Sequence, residues 1–227
     1  MNSKKEEYMI TYNDVKNNDA VNAYIRKQDE YLSAIGFTEH SFVHVIRAAE
    51  TAGYILKTMG YSNEEIELAK IAGYMHDLGN IVNRTNHSLT GAVMAFRILD
   101  KMDMPPEDIA TVVTAIGNHD EGTGLPVNPV AAALILADKS DVRRSRVRNK
   151  AKTEFDIHDR VNYSVEKSTL TINDEKTEIT LTLQIDTQYG SIMEYFEIFM
   201  ERMIMCRKAA EKLKLEFKLI INGQQLI

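Results

Sequence analysis

Apolar residues recur at three- and four-residue steps through the first two thirds of the chain, then alternate with polar ones. Val21, Tyr24, Ile25, Leu32 and Ile35, with Gln28, fall on one face and predict a helix from Asn18 that Gly36 ends. Thr38 is in place to cap a second helix, with Phe37 and Phe42 spaced as a hydrophobic staple. That helix carries His40, His44, Ala48, Ala52, Ile55 and Met59 and stops at Gly60; its alanines imply close packing in the centre of a bundle. Ser62 and Glu65 form a capping-box pattern that starts a third helix near residue 63. Its buried stripe is Ile66, Ala69, Ala72 and Met75, and His76-Asp77 close it before Gly79. Asn86 can cap a fourth helix beginning at His87. Pro105-Pro106-Glu107-Asp108 and Asn128-Pro129 are strong starts for two more. His119 and Asp120 continue the apolar face of the fifth helix, and Asp138 and Asp141 lie in phase with that of the sixth.

The pattern changes near residue 153. Residues 161–172 and 177–186 alternate apolar and polar with many β-branched members, separated by Asn173-Asp174-Glu175-Lys176, which predicts a hairpin. A helix of roughly residues 190–213 and a last strand over 214–222 follow. The expected fold is mainly α: a helical bundle over residues 1–152 and a small C-terminal α/β lobe, β-β-α-β, over 153–227. That lobe is left to shape a pocket or to serve a homo-oligomer contact. Residues 1–17 are polar and predict a poorly ordered start.

Composition narrows the class only modestly. The 227 residues are 44% apolar and 26% charged, ordinary for a globular chain. A net charge of −6 argues against nucleic-acid binding, and the run of Arg143, Arg144, Arg146, Arg148, Lys150 and Lys152 reads as a decorated helix end and linker. A single cysteine, Cys206, permits no intrachain disulfide and suits a reducing compartment. With no signal-peptide core and no membrane-length apolar run, the cytoplasm is the expected location.

The chemistry begins at His76-Asp77. A buried, unpaired carboxylate such as Asp138 costs several kcal/mol, so a cation partner is expected, either a base or a metal. Taken singly, Asp138, His119, His87 and His44 each have a bland reading as core or surface residues. Together they place four metal-competent side chains from four helices around one His-Asp pair, and a metal site is the better joint account. His44, His76, Asp77 and Asp138 would complete one site; Asp77, His87 and His119 would provide a second, with Asp77 as the bridge. Carboxylates and imidazoles suit one or two divalent transition-metal ions, Fe or Mn first, with Zn, Co or Ni as further candidates. Two ions roughly 3.5–4 Å apart can activate a water or hydroxide and hold phosphoryl oxygens, which points to phosphate-ester hydrolysis. Arg47, Arg84, Lys139 and Arg143 are candidate phosphate contacts.

The blocks HVIRAAETA (44–52), YMHDLGN (74–80), IGNHD (116–120) and LILADKSD (134–141) resemble the HD-domain superfamily of metal-dependent phosphohydrolases, over roughly residues 38–148. The resemblance implies an all-helical HD bundle. His87 and His119 look like the binuclear branch. It also selects His44 over His40, which shares its expected helical face, and leaves His40 as a neighbour of the ligands or a proton donor, with Asp120 as a second proton carrier. The expected substrate is a nucleotide or other small phosphate ester. Asn80 stands where many binuclear members carry lysine, and the GYP-containing motif of cyclic-di-GMP phosphodiesterases is absent, which argues against that substrate. The same ligand set serves HD-type di-iron oxygenases, and a non-catalytic nucleotide sensor is a further alternative.

Overall fold

A computed structural model describes residues 9–148 and 155–227. The expected boundary at 152–153, Lys150 and Lys152 of the basic run, and the first eight residues of the polar start lie outside the described residues.

Apart from the first, which forms inside the stretch expected to be a poorly ordered start because Thr11 and Asp14 box its beginning and Tyr12 and Val15 are buried, the helices follow the periodicity closely. They are α1 (Tyr12–Lys16), α2 (Asp19–Ala34), α3 (Phe42–Met59), α4 (Asn63–Met75), α5 (His87–Lys101), α6 (Pro106–Gly117) and α7 (Pro129–Lys139). Ser62 and Glu65 bond reciprocally to start α4, and Asn128 accepts from Ala131 N to start α7. At the centre, α3 and α4 approach so closely that a Cβ on Gly73 would lie 2.7 Å from Ala49 backbone atoms. Small residues on the inner face of α3 allow this approach, and α7 is buried along almost its whole length behind them.

Two caps differ from expectation. Ser41, not Thr38, caps α3, so His40 precedes the helix instead of sharing its face. Long-range bonds decide this. Asp29 accepts from His40 N at 3.0 Å, and Glu39 N donates to the Arg146 carbonyl at 2.8 Å, which holds residues 39–40 off the helix. Phe37 is accordingly no staple and stays 40% exposed. Asn86 does sit immediately before α5, but in the left-handed region (φ 60°) with no capping bond from its side chain.

The C-terminal part comprises α8 (Ile157–Ser164), β1 (Val165–Ile172), β2 (Glu178–Ile185), α9 (Ile192–Lys212), β3 (Glu216–Ile221) and β4 (Gln224–Gln225). The alternation expected from residue 161 begins at 165. Asp156 caps a helix over the preceding turn, and that helix buries Val161, Asn162 and Ser164. The sheet runs β1-β2-β3-β4. β1 and β2 form the expected hairpin, while β3 returns parallel to β2 through α9. Ile179, Leu181, Leu183, Phe217, Leu219 and Ile221 present one buried face. Tyr195, Phe199, Met203, Cys206, Ala209 and Ala210 of α9 are buried as well, and α9 packs on both β3 and α7. The α/β part therefore reaches the wall of the helical bundle. No helix among the described residues is long and apolar enough to cross a membrane.

Candidate metal centre

Six side chains converge from five helices and the turns that follow them. His44 stands on the first turn of α3, His76 and Asp77 follow α4, His87 opens α5, His119 lies just past α6, and Asp138 is in the last turn of α7. All but Asp138 are buried nearly completely.

The hydrogen bonds fix which nitrogen each ring offers. His44 Nδ1–H donates to Asp141 Oδ2 at 2.8 Å, His76 Nδ1–H to the Gly73 carbonyl at 2.8 Å, His119 Nδ1–H to the Ile116 carbonyl at 2.6 Å and His87 Nδ1–H to the Arg84 carbonyl at 3.2 Å. Each assignment leaves Nε2 with its lone pair inward, the usual arrangement of a metal-ligating histidine. His44 Nε2 then faces His76 Nε2 at 3.3 Å, and His87 Nε2 faces His119 Nε2 at 3.2 Å. Two lone pairs at that separation repel unless a cation lies against them.

Asp77 completes the picture. Its Oδ2 is buried without a hydrogen-bond donor, 3.3 Å from His76 Nε2 and 3.5 Å from His44 Nε2. Its Oδ1 accepts from Asn80 Nδ2 at 2.8 Å and lies 3.6 Å from His87 Nε2. Asp138 Oδ1 is 3.2 Å from His44 and 3.5 Å from His76. His44, His76 and Asp77 form one group able to hold an ion, and Asp77, His87 and His119 form another, sharing the aspartate; His76, His119 and Asp138 are a third such combination. An orphaned buried carboxylate oxygen among inward-facing imidazole Nε2 atoms fits divalent cations well.

The electrostatics agree. Burial disfavours a charged His76, yet the Asp77 and Asp138 carboxylates outweigh it and push the ring up to about 10, so positive charge is favoured at this end of the pocket. Burial would also raise Asp77, but the neighbouring imidazoles hold it well below the usual carboxylate range. His87 falls to about 4 through burial despite Asp77, and His119 is lowered as well by burial and by His76 and His87, so both remain neutral donors of a lone pair.

The structure sorts the other candidates. Arg84 and Lys139 line a narrow cleft of about 20 Å³ over Asp77, His87, His119 and Asp138. Arg47 and Arg143 do not; both donate to Asp141 Oδ1, at 2.9 and 3.0 Å, and so brace the acceptor of His44. His40 and Asp120 also line the cleft. Burial and Arg146 keep His40 neutral, and with its Nδ1–H on the Thr38 carbonyl its Nε2 is a hydrogen-bond acceptor.

Two residues that the sequence did not single out as site residues reach the same cleft. Arg146, read as part of a solvated basic run, is 4% exposed and donates to the Asp141 and Glu39 carbonyls. Arg202 comes from α9, pairs with Glu121 at 2.7 Å and stacks on Phe199. His40, Arg84, Arg146 and Arg202 also border a wider cavity of about 270 Å³ that includes Phe37, Asp156 and Asn162, so the cleft and the cavity adjoin. No local signal marks Arg202, because its approach depends on α9 packing against α7.

An uncharacterized protein of Methanocaldococcus jannaschii is 25% identical over 200 residues, covering 78% of this chain and 76% of the relative. The crystal structure of a predicted HD superfamily hydrolase from an uncultured Thermotogales bacterium is 23% identical over 55% of this chain and 67% of that one, with a TM-score of 0.43. The model of the HD domain matches residues 41–167, more than half of the chain and all six candidate ligands. The chain belongs to the HD-domain superfamily.

Proposed function

We propose that this protein is a binuclear phosphohydrolase that cleaves a small phosphate ester, of which a nucleotide suits the cavity best. The observation that carries this reading is the sharing of Asp77 between two sets of inward-facing imidazoles at the floor of a cationic cleft. Divalent ions bound there, Fe or Mn by the donor set, would supply Lewis acidity toward a phosphoryl oxygen and lower the pKa of water.

The chain's own residues supply the rest. Lys139 is already neutralised, at 2.9 Å from Asp138 and 3.2 Å from Glu121, and Arg202 by Glu121. Arg84 and Arg146 have no carboxylate within 4.0 Å among the described residues, which leaves them as the cations available to a phosphate. Phe37 and Phe199 flank the wider cavity with apolar rings, and Asp156 and Asn162 add polar groups, a combination suited to a nucleoside. Asp120 lines the cleft and would exchange a proton there, a role supported by its carboxyl being pushed up to about 6 by burial and by a hydrogen bond shared with Glu121.

Release of inorganic phosphate from a panel of nucleotides and sugar phosphates, with added Mn²⁺, tests the proposal. Release that chelation abolishes is expected; a panel silent throughout while metal is bound would overturn it. With Asp120 acting as a base, kcat/KM rises with pH through about 6, where the carboxylate form takes over. Asp120→Asn is expected to erase that limb and lower kcat on the order of a hundredfold. An unchanged pH profile would remove Asp120 from the reaction.

A further inference from the structure

The proposed centre asks His87 for one lone pair, and Arg84 already uses it. With Nδ1–H on the Arg84 carbonyl, Nε2 is the ring's sole acceptor, and Arg84 Nη1 lies 3.3 Å from it. The same Nη1 donates to Asn80 Oδ1 at 3.2 Å. Asn80 is completely buried and spends its amide hydrogens on the Asp77 carbonyl and Asp77 Oδ1, which leaves Oδ1 turned toward Arg84. Arg84 thus rests on two neutral acceptors beside one half of the centre. Lys139 also touches a candidate ligand, but it binds Asp138 Oδ2 while Oδ1 faces the histidines, so ion and lysine need not compete. An imidazole nitrogen has no second lone pair to offer.

Arg84 also has somewhere to go. It sits in the short connection ahead of α5, its guanidinium is 5.7 Å from the Phe37 ring, and it borders both the cleft and the wider cavity. Its guanidinium therefore stands between His87 and that cavity.

Resting on the metal-centre reading above, we infer that Arg84 is a movable cation that competes with the second ion for His87 and, once displaced, turns to the substrate's phosphate. Filling the Asp77–His87–His119 half-site and binding an anion in the cavity are then mutually favourable. The ion frees the guanidinium, and the anion draws it away from His87. By linkage each tightens the other equally. The His44–His76–Asp77 half, whose ligand nitrogens meet no arginine or lysine among the described residues, fills first.

Titration of metal-stripped protein with Mn²⁺, followed by calorimetry and by the electron-spin signal of free Mn²⁺, tests this directly. Wild type is expected to show a tight and a weaker site. Arg84→Met, which keeps the bulk and removes the charge, is expected to tighten the weaker one on the order of tenfold and to leave the other unchanged. Inorganic phosphate should tighten the weaker site in wild type and lose that effect in Arg84→Met. Arg84→Lys, which keeps charge without the planar fork, should fall between the two. Equal weaker-site affinities in wild type and Arg84→Met, at matched melting temperatures, would overturn the inference while leaving the centre intact. A wild type that binds no Mn²⁺ would overturn the metal reading itself, and this inference with it.

Discussion

Asp77→Ala is expected to lose both ions and to lower turnover by a factor of about a thousand or more. Among the described residues, Asp77 is the one carboxylate within 3.6 Å of three of the four inward nitrogens, those of His44, His76 and His87. Asn80 fixes its orientation with a hydrogen bond of 2.8 Å to Oδ1. Without that shared anion, only the Asp138 carboxylate would be left to offset two dications, and the low dielectric magnifies their repulsion. The fold should survive, because the lost side chain carries a buried oxygen with no donor of its own. Metal content by mass spectrometry, beside phosphate release and a melting curve, separates these effects. A metal-depleted yet active Asp77→Ala protein would contradict the account.

Gly79→Ala is expected to cost about 3 kcal/mol of stability or more, an overpacking effect with little room for relief. A Cβ there would meet the His87 carbonyl oxygen at 1.9 Å, Gly91 N at 2.5 Å and Thr90 Oγ1 at 2.5 Å. Two of those three atoms are backbone and cannot rotate away. A Cβ on Gly91 of the facing helix would lie 3.2 Å from Gly79 N and from the His76 carbonyl oxygen, a tight but milder contact. This glycine pair lets the 3-10 turn Leu78–Ile81 lie directly on the first turn of α5, which is what brings His87 beside Asp77. An alanine would push them apart, so loss of the weaker ion should accompany the stability loss. At about 2–4 °C per kcal/mol for a chain of this size, the melting temperature should fall by roughly 6–12 °C. An unchanged melting temperature would show that the two segments separate freely.

Most of the helical framework was legible because its starts are written in local chemistry. The Ser62–Glu65 box, Pro106 and the Asn128-Pro129 pair set where three helices begin, and the helix period then carries His76, Asp77 and Asp138 inward. What escaped depends on contacts between distant residues. Asp29 and Arg146 hold His40 off the helix that its spacing suggested. The β-branched residues after 161 read as strand, yet the Asp156 cap and burial of Val161 turn residues 157–164 into α8. Charge alone did not separate Arg47 and Arg143, which brace Asp141, from Arg84 and Arg146, which border the cleft. Their side chains differ only in what the fold brings to meet them.

The most direct test is to titrate the metal-stripped protein with Mn²⁺ while following bound metal and phosphate release from the best substrate of the panel together. The account predicts two ions per chain, with turnover rising as the weaker site fills. Release that proceeds undiminished under chelation, or two bound ions with no phosphate released from any ester, would contradict it.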